Sequence, residues 1–274
     1  MDAFPSARRA ADSPSSDADS ASSNADPLRN ASASRDLAVA RWLLGEAGRA
    51  ALAALPPYRF DDVFALTARL RREGLDADQA AAALTLSRLR TRAAAKFGER
   101  AGSMFFTADG YEQATRLSVG ALHAARLVEA GARRVVDFGC GIGADSLAFT
   151  LAGLDVAAIE SDPVAALYAA ANAPEAKVTC ADGLATELPE ADAIWLDPAR
   201  RAEDGRRISS PERWTPPFSR ALSLARDFPL AGIKVAPGIA YHALPPRAFV
   251  EWISERGQLL EAVVWLGMGT GRAA

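Results

Sequence analysis

The sequence predicts an α/β protein in which a parallel sheet follows a small helical domain. Two observations carry this prediction. Residues 36–130 place apolar side chains at helical spacing, whereas from Arg133 onwards short apolar runs alternate with segments that suit crossover helices. The 274 residues leave room for one full α/β domain and a smaller module. The runs that we predict as strands are Val135-Val136, Val156 to Ile159, Val178-Thr179, Ala193 to Leu196, Gly232 to Ala236 and Ala262 to Leu266.

Four helices are predicted before the sheet. The third opens at a capping box of Asp76 and Gln79, and the fourth runs from about Tyr111 to Ala130. The first 35 residues are rich in Ser, Ala and Asp and show no apolar period, which predicts a disordered tail. The predicted organisation is therefore a tail over 1–35, a helical region over 36–130 and a sheet domain over 131–274.

Composition narrows the classes of function. The formal net charge of -3 gives no whole-chain reason to expect a polyanion or a membrane as partner. Two cysteines, Cys140 and Cys180, are too few for a disulfide scaffold or a zinc site, so we predict no metal. No apolar run suits a signal peptide or a membrane span. A reducing cytoplasm is the predicted location.

The first predicted strand leads into a glycine-rich turn. Asp137 and Phe138 end the strand, and Gly139, Gly141 and Gly143 follow at alternate positions. Glycine is needed where a backbone turns sharply and a ligand must approach it closely. The turn therefore predicts a ligand site, and the alternative is a tight strand-to-helix turn with no ligand.

Binding of a nicotinamide dinucleotide is a second alternative, because Gly139, Gly141 and Ala144 also satisfy the dinucleotide pattern. Asp137 argues against it, since its carboxylate would repel a pyrophosphate at the strand end. The sulfonium and ammonium groups of S-adenosylmethionine (SAM) would instead be attracted by an acid. The turn therefore favours SAM as cofactor.

Further acids end the next two strands. Glu160 follows the second strand and could accept both hydroxyls of a ribose, and Asp182 follows the third and could bind an adenine amino group. Taken singly, each acid could equally be a solvated loop residue or a helix cap. Three acids at three successive strand ends form a more specific pattern, which supports a nucleoside-containing ligand.

The fourth strand ends in Asp197-Pro198, followed by Arg200 and Arg201. Proline restricts its own backbone and that of the preceding residue, so it can hold the Asp197 carboxylate rigidly at the mouth of the site. Such an acceptor could orient an amine nucleophile, and the catalytic gain would come mainly from positioning. The alternative is a simple strand stop.

Basic and aromatic residues around this point suggest substrate contacts. The arginine-rich stretch from Arg200 to Trp214 could hold phosphates and stack a base, or could be a solvated loop. Lys234 lies inside an apolar run and needs a partner if buried; it could line the pocket or pair with an acid such as Asp197. His123 and His242 receive no catalytic role.

Together these residues resemble motifs I to IV of class I SAM-dependent methyltransferases, over about residues 132–267. The resemblance implies a Rossmann-like sheet. A narrower resemblance, over about residues 36–267, is to bacterial methyltransferases with an N-terminal helical region and a THUMP-like C-terminal domain, which implies RNA (ribosomal or transfer) as substrate. The stretches that carry it are Met104 to Thr107, Glu112 to Thr115, Leu196 to Arg201 and Lys234 to Gly238.

The chain departs from related patterns at several points. Base-amine methyltransferases usually have a second proline and an aromatic where this chain has Ala199 and Arg200. Asp-Pro-x-Arg also resembles uridine-C5 methyltransferases, but neither cysteine is well placed as their nucleophile. Since the sequence runs only to Ala274, we expect no THUMP-like domain.

We predict a SAM-dependent methyltransferase that acts on RNA, with a base amine favoured. The alternatives are an inactive SAM-fold module that binds RNA or protein, and an NAD(P)-dependent oxidoreductase. Because the last apolar run was counted as strand six, we also predict a domain truncated before its seventh strand.

Overall fold

The computed structural model describes residues 27–200, 206 and 208–274. A helical region precedes an α/β domain, and short 3₁₀ turns join several of the elements. The helices are α1 (Pro27–Leu44), α2 (Glu46–Ala53), α3 (Val63–Arg72), α4 (Ala77–Phe97), α5 (Ala108–Gln113), α6 (Leu117–Glu129), α7 (Ala144–Leu151), α8 (Pro163–Asn172) and α9 (Phe218–Ala225).

Eight strands form one sheet with the order β3-β2-β1-β4-β5-β7-β6-β8. The first five strands pair in parallel, whereas β7 runs antiparallel to both β5 and β6. This topology confirms the predicted fold class and brings the carboxyl ends of β1 to β5 to one edge. The strands are β1 (Arg134–Phe138), β2 (Asp155–Glu160), β3 (Lys177–Cys180), β4 (Ala193–Leu196), β5 (Leu230–Val235), β6 (Phe249–Glu255), β7 (Gln258–Leu266) and β8 (Gly271–Ala273).

One prediction about the helical region needs correction, and another is confirmed. Helix α1 begins at Pro27, so residues 27–35 are helical and do not belong to a disordered tail; the rest of that predicted tail lies outside the described residues. The capping box of Asp76 and Gln79 is confirmed, with both reciprocal hydrogen bonds formed.

The predicted fourth helix is two helices, α5 and α6, separated by an extended segment at Ala114 to Arg116. Lys96, on α4, explains where α5 ends. Its ammonium donates to the carbonyls of Tyr111 at 2.7 Å and Ala114 at 2.9 Å, which satisfies carbonyls at the helix end. The break leaves Thr115 outside both helices, where its hydroxyl donates to Asp145 of α7 at 2.6 Å.

The prediction that the seventh strand is missing is wrong. The run counted as strand six is β7, and strands β6 and β8 were not predicted. The sequence did not predict strand β6 because charged residues interrupt its apolar pattern. Two of these bind α6 and its N-cap: Glu251 accepts from Arg126 of α6 at 2.6 Å, and Glu255 accepts from the N-cap residue Arg116 at 2.8 Å.

The helical region and the α/β domain share a hydrophobic core. One cluster of buried side chains contains Leu52 and Leu70 from the helical region with Leu147 of α7 and Tyr168 of α8. Burial of apolar side chains stabilises such a junction by about 25 cal/mol per Å². The shared core holds α5 beside the carboxyl ends of the strands.

Candidate active site

A cavity of about 1390 Å³ opens at the carboxyl ends of β1 to β5. Parallel α/β sheets bind ligands at this edge, and sites for a single small ligand measure roughly 300–1,000 Å³. The volume therefore leaves space for a cofactor and for part of a second ligand. Its walls come from the strand ends, from the segment between Thr107 and Arg116, and from parts of α1, α4 and β7.

The glycine-rich turn has the backbone that its sequence predicts. Gly139, Gly141 and Gly143 have φ values of 73°, 55° and 79°, a region that other residues rarely adopt. A Cβ atom at Gly143 would also lie 3.0 Å from the Cα atom of Ala169, so helix α8 packs directly against the turn. Gly139 and Gly141 line the cavity, whereas Gly143 supports the turn from behind.

Glu160, at the end of β2, holds this turn in place. Its Oε2 atom accepts from the Gly141 amide at 2.8 Å, and its Oε1 atom accepts from the Asp162 amide at 2.8 Å. The two amides before Gly141 donate to the Ile159 carbonyl. The turn amides that a pyrophosphate would need therefore already donate hydrogen bonds, and the Glu160 carboxylate lies beside them. This geometry argues against the dinucleotide alternative.

Asp182 and Phe138 line the next part of the cavity. Asp182 is exposed, and its Oδ1 atom accepts from the Leu184 amide at 2.9 Å, which fixes the turn that follows β3. The Phe138 ring lies against Gly183, where an added Cβ atom would be 2.5 Å from the ring. Glycine at position 183 therefore lets the Phe138 ring pack against the turn that follows β3.

Asp137 does not have the position that its sequence predicts. The side chain is 1% exposed, is absent from the described cavity wall, and accepts from the Ser146 hydroxyl at 2.5 Å. Burial and the nearby negative charge of Asp145 raise the pKa of Asp137 to about 8. An ionised Asp137 in contact with a cationic ligand is therefore not supported, and its place is beneath the turn.

Asp197 and Lys234 form an ion pair in the wall of the cavity, beside Pro198. The Lys234 side chain is 3% exposed and that of Asp197 is 27% exposed. Burial opposes the charge of Lys234, but Asp197 and two further acids outweigh it and raise the pKa of Lys234. Both interpretations of Lys234 hold, because it lines the cavity and pairs with Asp197.

Thr115 and Asp145 line the same wall, although neither was predicted as a site residue from the sequence. Lys234 donates to the Thr115 hydroxyl at 2.9 Å, and this hydroxyl donates to Asp145 at 2.6 Å. The sequence signal that came nearest was the stretch from Glu112 to Thr115 in the narrower family resemblance. Nothing in the spacing of these residues points to a contact between them.

The predicted substrate residues have different outcomes. Arg200 is half-buried and lines the cavity, whereas Arg201 lies outside the described residues. Trp214 is only 2% exposed, its indole N–H donates to the Ile208 carbonyl at 2.9 Å, and its ring packs against Phe218. A side chain buried in this way cannot stack on a base, so the substrate role of Trp214 is withdrawn.

Several other chemistries lack support among the described residues. Burial raises the pKa of the Cys140 thiol, which disfavours the thiolate that a uridine-C5 mechanism needs. No group of His, Cys, Asp and Glu in the described part of the chain could hold a metal ion. None of the described helices combines the length and apolar character that a membrane span requires.

Comparison with solved structures identifies the fold. A candidate methyltransferase from Porphyromonas gingivalis W83 superposes with a TM-score of 0.61 at 20% identity, over 85% of this chain and 58% of that chain. The chain has the class I methyltransferase fold. It spans less than two thirds of the length of that protein, and the likeness at this identity concerns the fold alone.

More distant structures carry similar descriptions. A candidate RNA methyltransferase from Pyrococcus horikoshii has a TM-score of 0.41 at 16% identity, over 60% of this chain and 91% of that chain. A tRNA (uracil-54, C5)-methyltransferase from Pyrococcus abyssi, in complex with S-adenosyl-L-homocysteine, has a TM-score of 0.34 at 15% identity, over 48% and 30% of the two chains. The family model of a domain of unknown function, DUF8688, matches residues 36–93. No curated protein matches the chain.

Proposed function

We propose that the chain is a SAM-dependent methyltransferase that methylates an amine on an RNA base. One observation carries the proposal: the Glu160 and Asp182 carboxylates line the same cavity as the ion-paired Asp197. Strands β2, β3 and β4 thus end around one space in the order that class I methyltransferases use. Because a fold does not determine a reaction by itself, the proposal depends on the residues at this edge of the sheet.

The residues present fit SAM. Acidic side chains outnumber basic ones among the described residues that line the cavity, which favours a ligand with a sulfonium and an ammonium group. In this proposal Glu160 would accept the ribose hydroxyls, Asp182 would bind the adenine amino group, and Gly139 and Gly141 would lie beside the methionine part. Asp137 would act indirectly, by holding the turn through Ser146.

The proposed chemistry assigns the acceptor to Asp197 and Pro198. SAM supplies an electrophilic methyl group when it is bound. Asp197 would accept a hydrogen bond from the amine and so direct its lone pair towards the methyl carbon. As the N–C bond forms and the S–C bond breaks, the excess proton on nitrogen would pass to Asp197 and then to water. Pro198 would restrict the backbone around this carboxylate.

The RNA part of the proposal rests on arginines. Arg200 lines the cavity, and Arg206 and Arg213 are exposed in the segment that follows it. Guanidinium groups beside a cavity suit phosphates that flank an inserted base. We keep Arg201 in the proposed contacts on its sequence position alone, and we propose a cytoplasmic location on composition alone.

Transfer of labelled methyl from SAM to separate pools of RNA, DNA and protein tests the function. We expect label in RNA. Asp197→Ala should cut turnover strongly and leave SAM affinity, measured by calorimetry, near normal. SAM binding with no transfer to any pool would favour an inactive module, and binding of NADH in place of SAM would favour an oxidoreductase.

A further inference from the structure

A chain of hydrogen bonds leads away from Asp197 into the interior. Lys234, which pairs with Asp197, donates to the Thr115 hydroxyl at 2.9 Å. The Thr115 hydroxyl in turn donates to Oδ2 of Asp145 at 2.6 Å. One hydroxyl therefore joins the ammonium of β5 to the carboxylate of α7. It belongs to the extended segment between α5 and α6, so the region before the sheet completes the network.

His123 continues the chain from the other oxygen of Asp145. Its Nδ1 atom lies 2.9 Å from Oδ1 of Asp145, and its Nε2 atom lies 2.7 Å from Oε1 of Glu261 on β7. The ring is fully buried and lies against Trp195 with 4.3 Å between centroids. Two carboxylates face two ring nitrogens, and only the imidazolium form can donate to both.

Charges of opposite sign alternate along this chain. Burial opposes the imidazolium, but hydrogen bonds and the charges of Asp145 and Glu261 raise the pKa of His123 to about 9. Despite burial, the hydrogen bond and charge of His123 lower the pKa of Asp145 to about 2. Each buried charge thus depends on its neighbours, since an isolated one would be costly.

Other charged groups near His123 are already paired. On β6, Glu251 accepts from Arg126 of α6 at 2.6 Å. On β5, Lys234 pairs with Asp197, and on β4 the Trp195 indole presents its ring. His123 is therefore the cation that hydrogen-bonds to both Asp145 and Glu261. Its loss would remove this positive charge and these hydrogen bonds from two buried carboxylates.

On the premise of the proposed function, we propose that Thr115, Asp145, His123 and Glu261 are positioning residues that act through Lys234. They hold the Lys234 ammonium in one place, and Lys234, through the ion pair, directs the Asp197 carboxylate at the acceptor. None of the four needs to touch the reacting atoms. The role of Lys234 changes accordingly, from a substrate contact to the link between this network and Asp197.

Thr115 offers a matched test. Thr115→Val removes the hydroxyl and nearly keeps the shape, whereas Thr115→Ser keeps the hydroxyl. We expect the valine variant to lose about tenfold in kcat, the equivalent of one hydrogen bond to a charged group, with the KM for SAM within about twofold. Thr115→Ser should recover most of this loss. Thr186→Val, at an exposed threonine outside the described cavity wall, is the control.

A second readout needs no methyl transfer. The sequence contains three lysines, at positions 96, 177 and 234, and two histidines, at 123 and 242. Selective isotope labelling therefore gives few, assignable NMR signals. Thr115→Val should move the Lys234 and His123 side-chain signals and leave those of the exposed Lys177 and His242 in place.

The outcomes separate the two proposals. Loss of kcat in Thr115→Val, recovery in Thr115→Ser and coupled NMR shifts support the positioning role. An active wild type whose Thr115→Val variant is equally active overturns the inference alone, as do unmoved Lys234 and His123 signals. A wild type that transfers no methyl to any pool overturns the proposed function instead.

Discussion

The cofactor side of the cavity, at the ends of β2 and β3, and the acceptor side, at the ends of β4 and β5, hold their carboxylates differently. Glu160 and Asp182 accept hydrogen bonds from backbone amides of the turns beside them. Asp197 instead pairs with a buried ammonium, which depends on a hydroxyl 119 positions away in the sequence. A substitution on the cofactor side should therefore affect only its neighbouring residues, whereas one on the acceptor side should also affect residues further along the network.

Lys234→Met should produce the largest effect. Removing one partner of a buried ion pair costs about 3–5 kcal/mol, and the lower end applies here because Asp197 is 27% exposed. Misplacing the carboxylate should lower turnover by about 100-fold. Urea unfolding and the labelled-methyl assay measure the two effects.

Lys177→Met is the matched control, because the Lys177 side chain is 78% exposed and pairs with Asp155 at the surface. A surface pair contributes about 0–1 kcal/mol. If the two lysine variants unfold at the same urea concentration, the buried ion pair contributes no more stability than the surface pair. The proposed difference between the two sides of the cavity would then be wrong.

The next largest effect should appear in the pH dependence of stability, through His123 on the acceptor side. His123 has an ordinary pKa of 6.5, raised in the folded state to about 9. The folded protein holds this proton more tightly, so the stabilisation is fully present below pH 6.5 and is lost as the pH rises through 9. At about 1.4 kcal/mol per tenfold change in proton affinity, the loss is about 3 kcal/mol.

The difference between wild type and His123→Gln isolates this contribution. Asp137 also titrates in this range, because its pKa is raised to about 8, so the two proteins are also compared in an Asp137→Asn background, which removes that titration. His242→Gln, at an exposed position, should retain the wild-type profile. Parallel profiles for wild type and His123→Gln between pH 6.5 and 9.5 would show that His123 is not charged in the folded protein.

Glu160→Ala should have a smaller and more local effect. The variant loses a carboxylate proposed to accept the ribose hydroxyls, and a charge-assisted hydrogen bond contributes about 1.5–3 kcal/mol. SAM affinity should fall roughly tenfold or more, by calorimetry. Glu175→Ala, exposed and outside the described cavity wall, is the control. SAM affinity unchanged in Glu160→Ala would refute the ribose assignment.

The same contrast explains how far the sequence could predict the site. On the cofactor side, a strand, a glycine turn and a following acid are neighbours in sequence, so Gly139 and Glu160 could be predicted to share one edge. Thr115 and Glu261 meet the acceptor side only through tertiary packing, and their spacing carries no signal. The resemblance marked the stretch around Thr115 but not its contact with Lys234.

The fold shows a similar limit. Buried parallel strands produce apolar runs that the sequence displays openly, as at Ala193 to Leu196. Strand β6 was not predicted because Glu251 and Glu255 interrupt its apolar pattern, and they pair with arginines of α6 and of its N-cap. Trp214 was misjudged for the converse reason, since a tryptophan among arginines suggested a base-stacking surface although the ring is buried. Charge and aromatic patterns alone do not reveal which face meets a neighbour.

The smallest predicted effect concerns RNA binding by two arginines that follow Arg200 in the sequence, Arg206 and Arg207, of which Arg207 lies outside the described residues. Each arginine that contacts a phosphate of single-stranded RNA adds about 0.7 to the slope of log affinity against log salt. Neutralising Arg206 and Arg207 together should thus reduce the slope by up to about 1.4 and weaken binding severalfold at physiological salt.

Arg220→Ala with Arg226→Ala, two exposed positions at α9, is the matched control. Filter binding of total RNA between 50 and 200 mM salt, roughly the range in which phosphate contacts are lost, measures both. Equal slopes for the two double variants would remove the arginine-rich segment from the RNA proposal, whereas salt-independent binding would point to a substrate without phosphates.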